Sequence, residues 1–128
     1  MNPFEKYLSK EDLLHKSVLD FVRYKYPHAI IAHPPNEGKR TPFERFKTKW
    51  LGISSGLPDL MIFSPSHSYF GLAIEIKVKP NKMTDSQLKW HENLFNCRWQ
   101  CACVYNIDEA MDVINEYFNP ATKKYGNN

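Results

Sequence analysis

Several things are missing from this sequence, and each absence narrows what it can be. No apolar run approaches the roughly 18–20 residues that cross a bilayer, so no membrane segment is expected. The opening stretch MNPFEKYLSKED has no apolar signal core and carries acids. Secretion is therefore not expected, and a cytoplasmic location is. Cysteine is scarce: Cys97, Cys101 and Cys103 are odd in number and crowd one short stretch. They form no paired C-x2-C units and have no second ligand cluster, which argues against structural zinc. Reduced, mostly buried thiols are the expectation. No GxxxxGK[ST] occurs, since NEGKRT lacks the first glycine, so no ATP motor is expected. There is no zinc finger and no evident base-reading helix. The net charge is only +3, compatible with a polyanionic partner but too small to argue for one.

What is present suits a single domain. The chain has 128 residues, 42% hydrophobic and 14% aromatic, enough for one core. No repeat, low-complexity segment or long linker divides it. The expected domain is 1–120, with 121–128 a flexible tail.

Ser9, with Asp12 three residues on, caps a helix over about Lys10 to Tyr26. Its apolar stripe is Leu14, Val18, Phe21 and Val22, and Pro27 ends it. HAIIAH reads as a short strand and PPNEGKRTP as a turn-rich break. A short helix follows Pro42, then the turn SSGLPD, the strand LMIF, the loop SPSHSY and the strand LAIEIKVKP. Thr84 and Gln87 form a capping box for a helix to about Asn96. QCACVY is a strand. Asn106 and Glu109 form a further box for the last helix, with Met111, Ile114 and Phe118 along one face. The order α-β-(α)-β-β-α-β-α implies an α/β fold, a central sheet flanked by helices in two or three layers.

The chemistry concentrates on two strands. In LAIEIKVKP, Leu72, Ile74, Ile76 and Val78 share one face, and Glu75 and Lys77 the other. Alone, such a pair reads as a solvated salt bridge worth little. Asp59, at the mouth of LMIF, changes that reading. If the two apolar strands pair as neighbours, Asp59 falls beside Glu75, with Lys77 one step along. Two carboxylates, a backbone carbonyl and waters suit a hard divalent cation such as Mg2+ or Mn2+. Such an ion activates water and stabilises phosphoryl charge. Lys77 is placed to orient that water or neutralise developing charge.

GLPDLMIF, then LAIEIKVKP, then MTDSQLKWHENL resembles the VRR-NUC domain of the PD-(D/E)xK nuclease superfamily. PPNEGKR before them and YNIDEAMDVINEYF after them also look like the stand-alone phage and bacterial members. The resemblance covers about Lys10 to Phe118. It implies a restriction-endonuclease-like core with a central mixed β-sheet. It implies metal-dependent phosphodiester hydrolysis leaving a 5′-phosphate and a 3′-hydroxyl. On it, Asp59, Glu75 and the Ile76 carbonyl are metal ligands, Lys77 is the catalytic lysine and Gln87 is a functional glutamine. Similar stand-alone members are dimers, and some cut branched DNA such as Holliday junctions. If phage-encoded, the chain would work in the host cytoplasm.

The first helix of such domains often supplies a glutamate. Glu11 shares the inward side with Val18 and Val22, whereas Asp12 lies further round. Glu11 is therefore preferred, though an acid also suits the first turn of any helix. His15 lies one turn on and reads more simply as a boundary residue. Gln87, His91 and Leu94 share one face of their helix, so Gln87 combines its capping with a place near the catalytic strand. Lys39, Arg40, Arg45 and Lys79 are the expected DNA contacts, with Lys47, Lys49 and Lys82 beside them, holding phosphates around the acidic centre. Asn36 either shapes its loop or touches the site. The expected function is a structure-selective DNA endonuclease acting as a homodimer. The alternatives are an inactive DNA-binding module of the same fold and an enzyme acting on a small phosphate ester.

Overall fold

The computed structural model describes residues 2–35 and 41–120. A short 3-10 helix, Pro3–Tyr7, precedes α1 (Lys10–Lys25). Then come β1 (Ile31–Ala32), α2 (Pro42–Trp50), β2 (Leu60–Ile62) and β3 (Gly71–Ile76). The chain closes with α3 (Asp85–Asn96), β4 (Trp99–Val104) and α4 (Ile107–Phe118).

The capping chemistry sets most helix starts. Ser9 and Asp12 exchange reciprocal bonds at α1, Thr41 and Glu44 at α2, and Thr84 and Gln87 at α3. The start of α4 corrects one expectation. Asn106 caps Glu109 N, but Glu109 Oε1 accepts from Tyr105 N, one residue before the cap, at 2.8 Å. The box is therefore not reciprocal.

One mixed four-stranded sheet runs β1-β2-β3-β4. β1 pairs antiparallel with β2, and β2 antiparallel with β3. β3 and β4 are parallel, joined through α3, as a parallel pair requires a crossover. β1 is shorter than HAIIAH suggested, with only Ile31 and Ala32 in register. Ile30 instead accepts from Phe63 N and donates its N–H to Ser64 Oγ, and His33 turns towards Asp59.

Side chains alternate across β3. Leu72, Ile74 and Ile76 join Leu60, Ile62, Val18, Val22, Ala110, Ile114 and Tyr117 in the core beneath α1 and α4. Glu75 lies on the opposite face, where α3 reaches it through Gln87. The result is three layers with β3 buried on both faces. Val78 lies past the end of β3 and is half-buried. Among the cysteines, Cys101 and Cys103 are half-buried, but Cys97 caps α3 in the turn to β4 and is exposed. That departs from the expectation of mostly buried thiols.

Candidate active site

Asp59 enters the site because β2 and β3 pair with Leu60 opposite Ile74. One step outward, that register puts Asp59 level with Glu75. A side-chain bond locks the step: Asp59 Oδ2 accepts from Ile76 N at 2.8 Å. On β3's other edge, Lys77 N donates to Val104 O, so Lys77 keeps to the strand path although it lies past the last ladder residue.

Glu75 is 1% exposed. Gln87 Nε2 donates to its Oε2 at 3.0 Å, and Lys77 Nζ stands 3.9 Å from the same oxygen. Its other oxygen, Oε1, is buried and has no hydrogen-bond partner among the described residues. Burial, followed by the neighbouring Asp59 carboxylate, pushes the Glu75 carboxyl up to about 9, with Lys77 opposing. Glu11 is raised too, first by burial and then by Asp59.

These groups share one cleft of about 170 Å³. Its walls are Glu11, Pro34, Pro35, Ser54, Gly56, Leu57, Pro58, Asp59, Glu75, Lys77 and Gln87. The structure thus brings together Asp59, Glu75, Lys77, Gln87 and the preferred Glu11. Asp12 stays exposed in its capping box. Arg45 and Lys79 lie outside the cleft and are exposed, Lys79 with its ammonium 5.7 Å from the Tyr105 ring centroid. Asn36, Lys39, Arg40 and the tail 121–128 lie outside the described residues.

Two histidines stand near Asp59. His33 Nδ1 lies 2.6 Å from the Asp59 carbonyl oxygen, so it carries the proton and donates. The His15 ring meets His33 edge-on, centroids 4.2 Å apart. Burial, then His33, lowers the His15 pKa. The sequence reading missed His33, because only the pairing of β1 with β2 carries it to Asp59. Its place at the end of an apolar strand run was the one available signal.

A buried carboxyl with an orphaned oxygen, beside a second carboxylate, offers the oxygen donors that a cation takes. A hard divalent ion fits that donor set. Among the described residues no three His, Cys, Asp or Glu side chains close into a cage. This is compatible with an ion that takes one or two carboxylates and keeps several waters.

Residues 5–106 match the VRR-NUC domain. The chain belongs to the VRR-NUC family. A solved structure described as a VRR_NUC domain protein is 27% identical, with a TM-score of 0.71, covering 86% of this chain and 88% of that one. A second, described as a VRR_NUC domain, is 20% identical with a TM-score of 0.58, covering 87% of this chain and all of that one, and shows the shared fold alone. No curated protein matches the chain. VRR-NUC proteins are generally nucleases that depend on divalent metal. The family and the mixed α/β core expected from the motifs are thereby established. No helix among the described residues is long and apolar enough to cross a membrane.

Proposed function

We propose that this VRR-NUC protein is a DNA endonuclease that hydrolyses phosphodiester bonds with Mg2+ or Mn2+. Its substrate is branched DNA, four-way junctions included, and it acts as a homodimer in the cytoplasm, the host's if phage-encoded. The observation that carries this reading is the buried, unpartnered Glu75 Oε1 in a cleft shared with Asp59 and Lys77.

Asp59 and Glu75 would hold the ion. Ile76 N faces Asp59, and a strand residue sends its N–H and C=O to the same edge, which supports the Ile76 carbonyl as a further ligand. A bound ion would supply an activated water and charge stabilisation at phosphorus. Gln87 holds Glu75 Oε2, which leaves Oε1 for the ion. Lys77, 12% exposed at its side chain, orients the attacking water or offsets charge on the phosphoryl oxygens. Glu11 stands across the cleft as a further ligand or as a partner to a bound water. Lys39, Arg40, Arg45 and Lys79 would bind backbone phosphates, which position the duplex without reading its sequence.

Asp59→Ala and Lys77→Ala should abolish cleavage of labelled junction DNA in Mn2+ while leaving DNA binding largely intact. Full cutting by either variant would refute the assignment. A protein that binds junctions but neither cuts them nor takes up Mn2+ by calorimetry would be the inactive module instead.

A further inference from the structure

The segment joining α2 to β2 walls the cleft with groups that have no role in holding an ion. Ser54, Gly56 and Leu57 line the same space as Asp59, Glu75 and Lys77. Ser54 is exposed, and its hydroxyl has no hydrogen-bond partner among the described residues. The backbone N–H groups of Ser54, Gly56 and Leu57 have none among them either. Gly56 has only main-chain atoms, so the wall it supplies is backbone.

That wall is held in place from α3. Trp90 Nε1 donates to Ser55 O at 3.1 Å and ties the segment to the helix. Gly56, at φ +85°, lies against the first turn of α3. A Cβ there would fall 2.6 Å from Ser86 Oγ and 2.8 Å from the Ser86 carbonyl carbon. Glycine alone combines that backbone conformation with so close an approach at little cost. The same helix holds Glu75 through Gln87. One helix therefore braces both the segment and a carboxylate of the acidic centre.

We infer that the Ser54 hydroxyl, with the N–H groups of Gly56 and Leu57, is a subsite for the backbone phosphate next to the one that is cut. This deepens the proposed function by naming a substrate contact, and it rests on that reading. Charge argues for it. Lys77 is the only cation among the wall residues of the cleft, and it stands 3.9 Å from Glu75 Oε2. A second cation so near Asp59, Glu75 and Glu11 would pair with those carboxylates. A hydroxyl and backbone N–H groups carry no net charge, so they hold a phosphate without competing for the carboxylates. Serine hydroxyls and backbone N–H groups are ordinary partners of DNA phosphates. Size argues for it too. The cleft is about 170 Å³, below the roughly 300–1,000 Å³ of a pocket that encloses a drug-sized ligand. It admits sugar-phosphate backbone and leaves the bases outside.

Ser54→Ala and Ser54→Thr test this on four-way-junction DNA. A single methylphosphonate, which replaces one charged phosphate oxygen by methyl, is moved one position at a time along the strand at the branch. Binding is read by fluorescence anisotropy in EDTA, and cleavage in Mn2+. Losing a hydrogen bond to a charged group should weaken binding by Ser54→Ala about tenfold. In cleavage it should raise KM with kcat little changed, and far-UV circular dichroism should stay the same. Ser54→Thr keeps the hydroxyl and should recover most of the loss. For the wild type, a methylphosphonate beside the cut should weaken binding by a similar factor. For Ser54→Ala the same methylphosphonate should cost little more, because both changes remove one contact. Losses that multiply at every position would overturn the inference. So would a Ser54→Ala protein that behaves as the wild type, one whose kcat falls with KM unchanged, or a matched position that does not adjoin the cut. If the wild type binds the junction with this pattern and cuts nothing, the phosphate subsite stands and the nuclease reading alone fails. If it binds no DNA, both fail.

Discussion

With metal withheld, Glu75 should make this protein less stable as the pH rises. Burial, and then Asp59, holds its folded-state pKa at about 9, against an ordinary value of 4.5. A carboxyl raised in the folded state binds its proton more tightly there than in the unfolded chain. Its contribution is therefore complete below about pH 4.5 and is lost as the pH climbs towards 9. Each unit of pKa difference is worth about 1.4 kcal/mol. Between about pH 5 and pH 8 the expected loss is on the order of 4 kcal/mol, a large share of a small domain's stability. The assay is urea unfolding in EDTA at several pH values, comparing the wild type with Glu75→Gln. His15 and His91, both held below their usual pKa first by burial, push stability the other way as the pH rises. They are common to both proteins, so the wild-type-minus-variant difference isolates Glu75. Adding Mn2+ should recover more stability at pH 8 than at pH 5, because the ion replaces a proton that is already loosening there. A difference that stays flat across this range would show that Glu75 is not held protonated by its surroundings. The cleft's suitability for a cation would be refuted with it.

Three further outcomes follow from particular contacts. Gly71→Ala would set a methyl 2.5 Å from the Trp99 ring and 2.7 Å from Ile62 O, where β3 meets both neighbours. It should cost about 1–3 kcal/mol in urea midpoint measurements. His33→Ala removes the bond to the Asp59 carbonyl. It should lower kcat by about tenfold with KM little changed, as a loss of positioning does. His33→Asn, which keeps a donor, should recover part of the rate, and equal loss in both would argue against a positioning bond. Tyr117→Phe removes the 2.6 Å bond to Ser64 O within the core and should destabilise by about 1–2 kcal/mol by thermal denaturation.

Much of the site was legible before any coordinates, for local reasons. Capping side chains reach backbone groups three residues away, so Ser9, Thr84 and their partners announced α1 and α3. The alternation in LAIEIKVKP sorted Leu72, Ile74 and Ile76 from Glu75, and a hairpin of two apolar runs placed Asp59 level with Glu75. The family resemblance pointed to an acid on the first helix, helical periodicity chose Glu11 over Asp12, and the cleft contains Glu11.

The rest depended on which surfaces meet. Strand alternation separates two faces but says nothing about what covers them. Glu75 is buried because the β3–β4 crossover lays α3 across its face, and that burial, with Asp59 beside it, raises its proton affinity. His33 reached Asp59 through an edge-strand pairing with a partner far along the chain. The spacing of Phe43, Phe46 and Trp50 along α2 was in the sequence, but that this stripe faces solvent was not. A helix's amphipathicity is local, whereas the side it turns to the body is settled by the packing of everything else. The sequence by itself determined which residues could do this chemistry. Tertiary structure decided which carboxyl loses its water, which histidine holds the turn, and which apolar face is left in solvent.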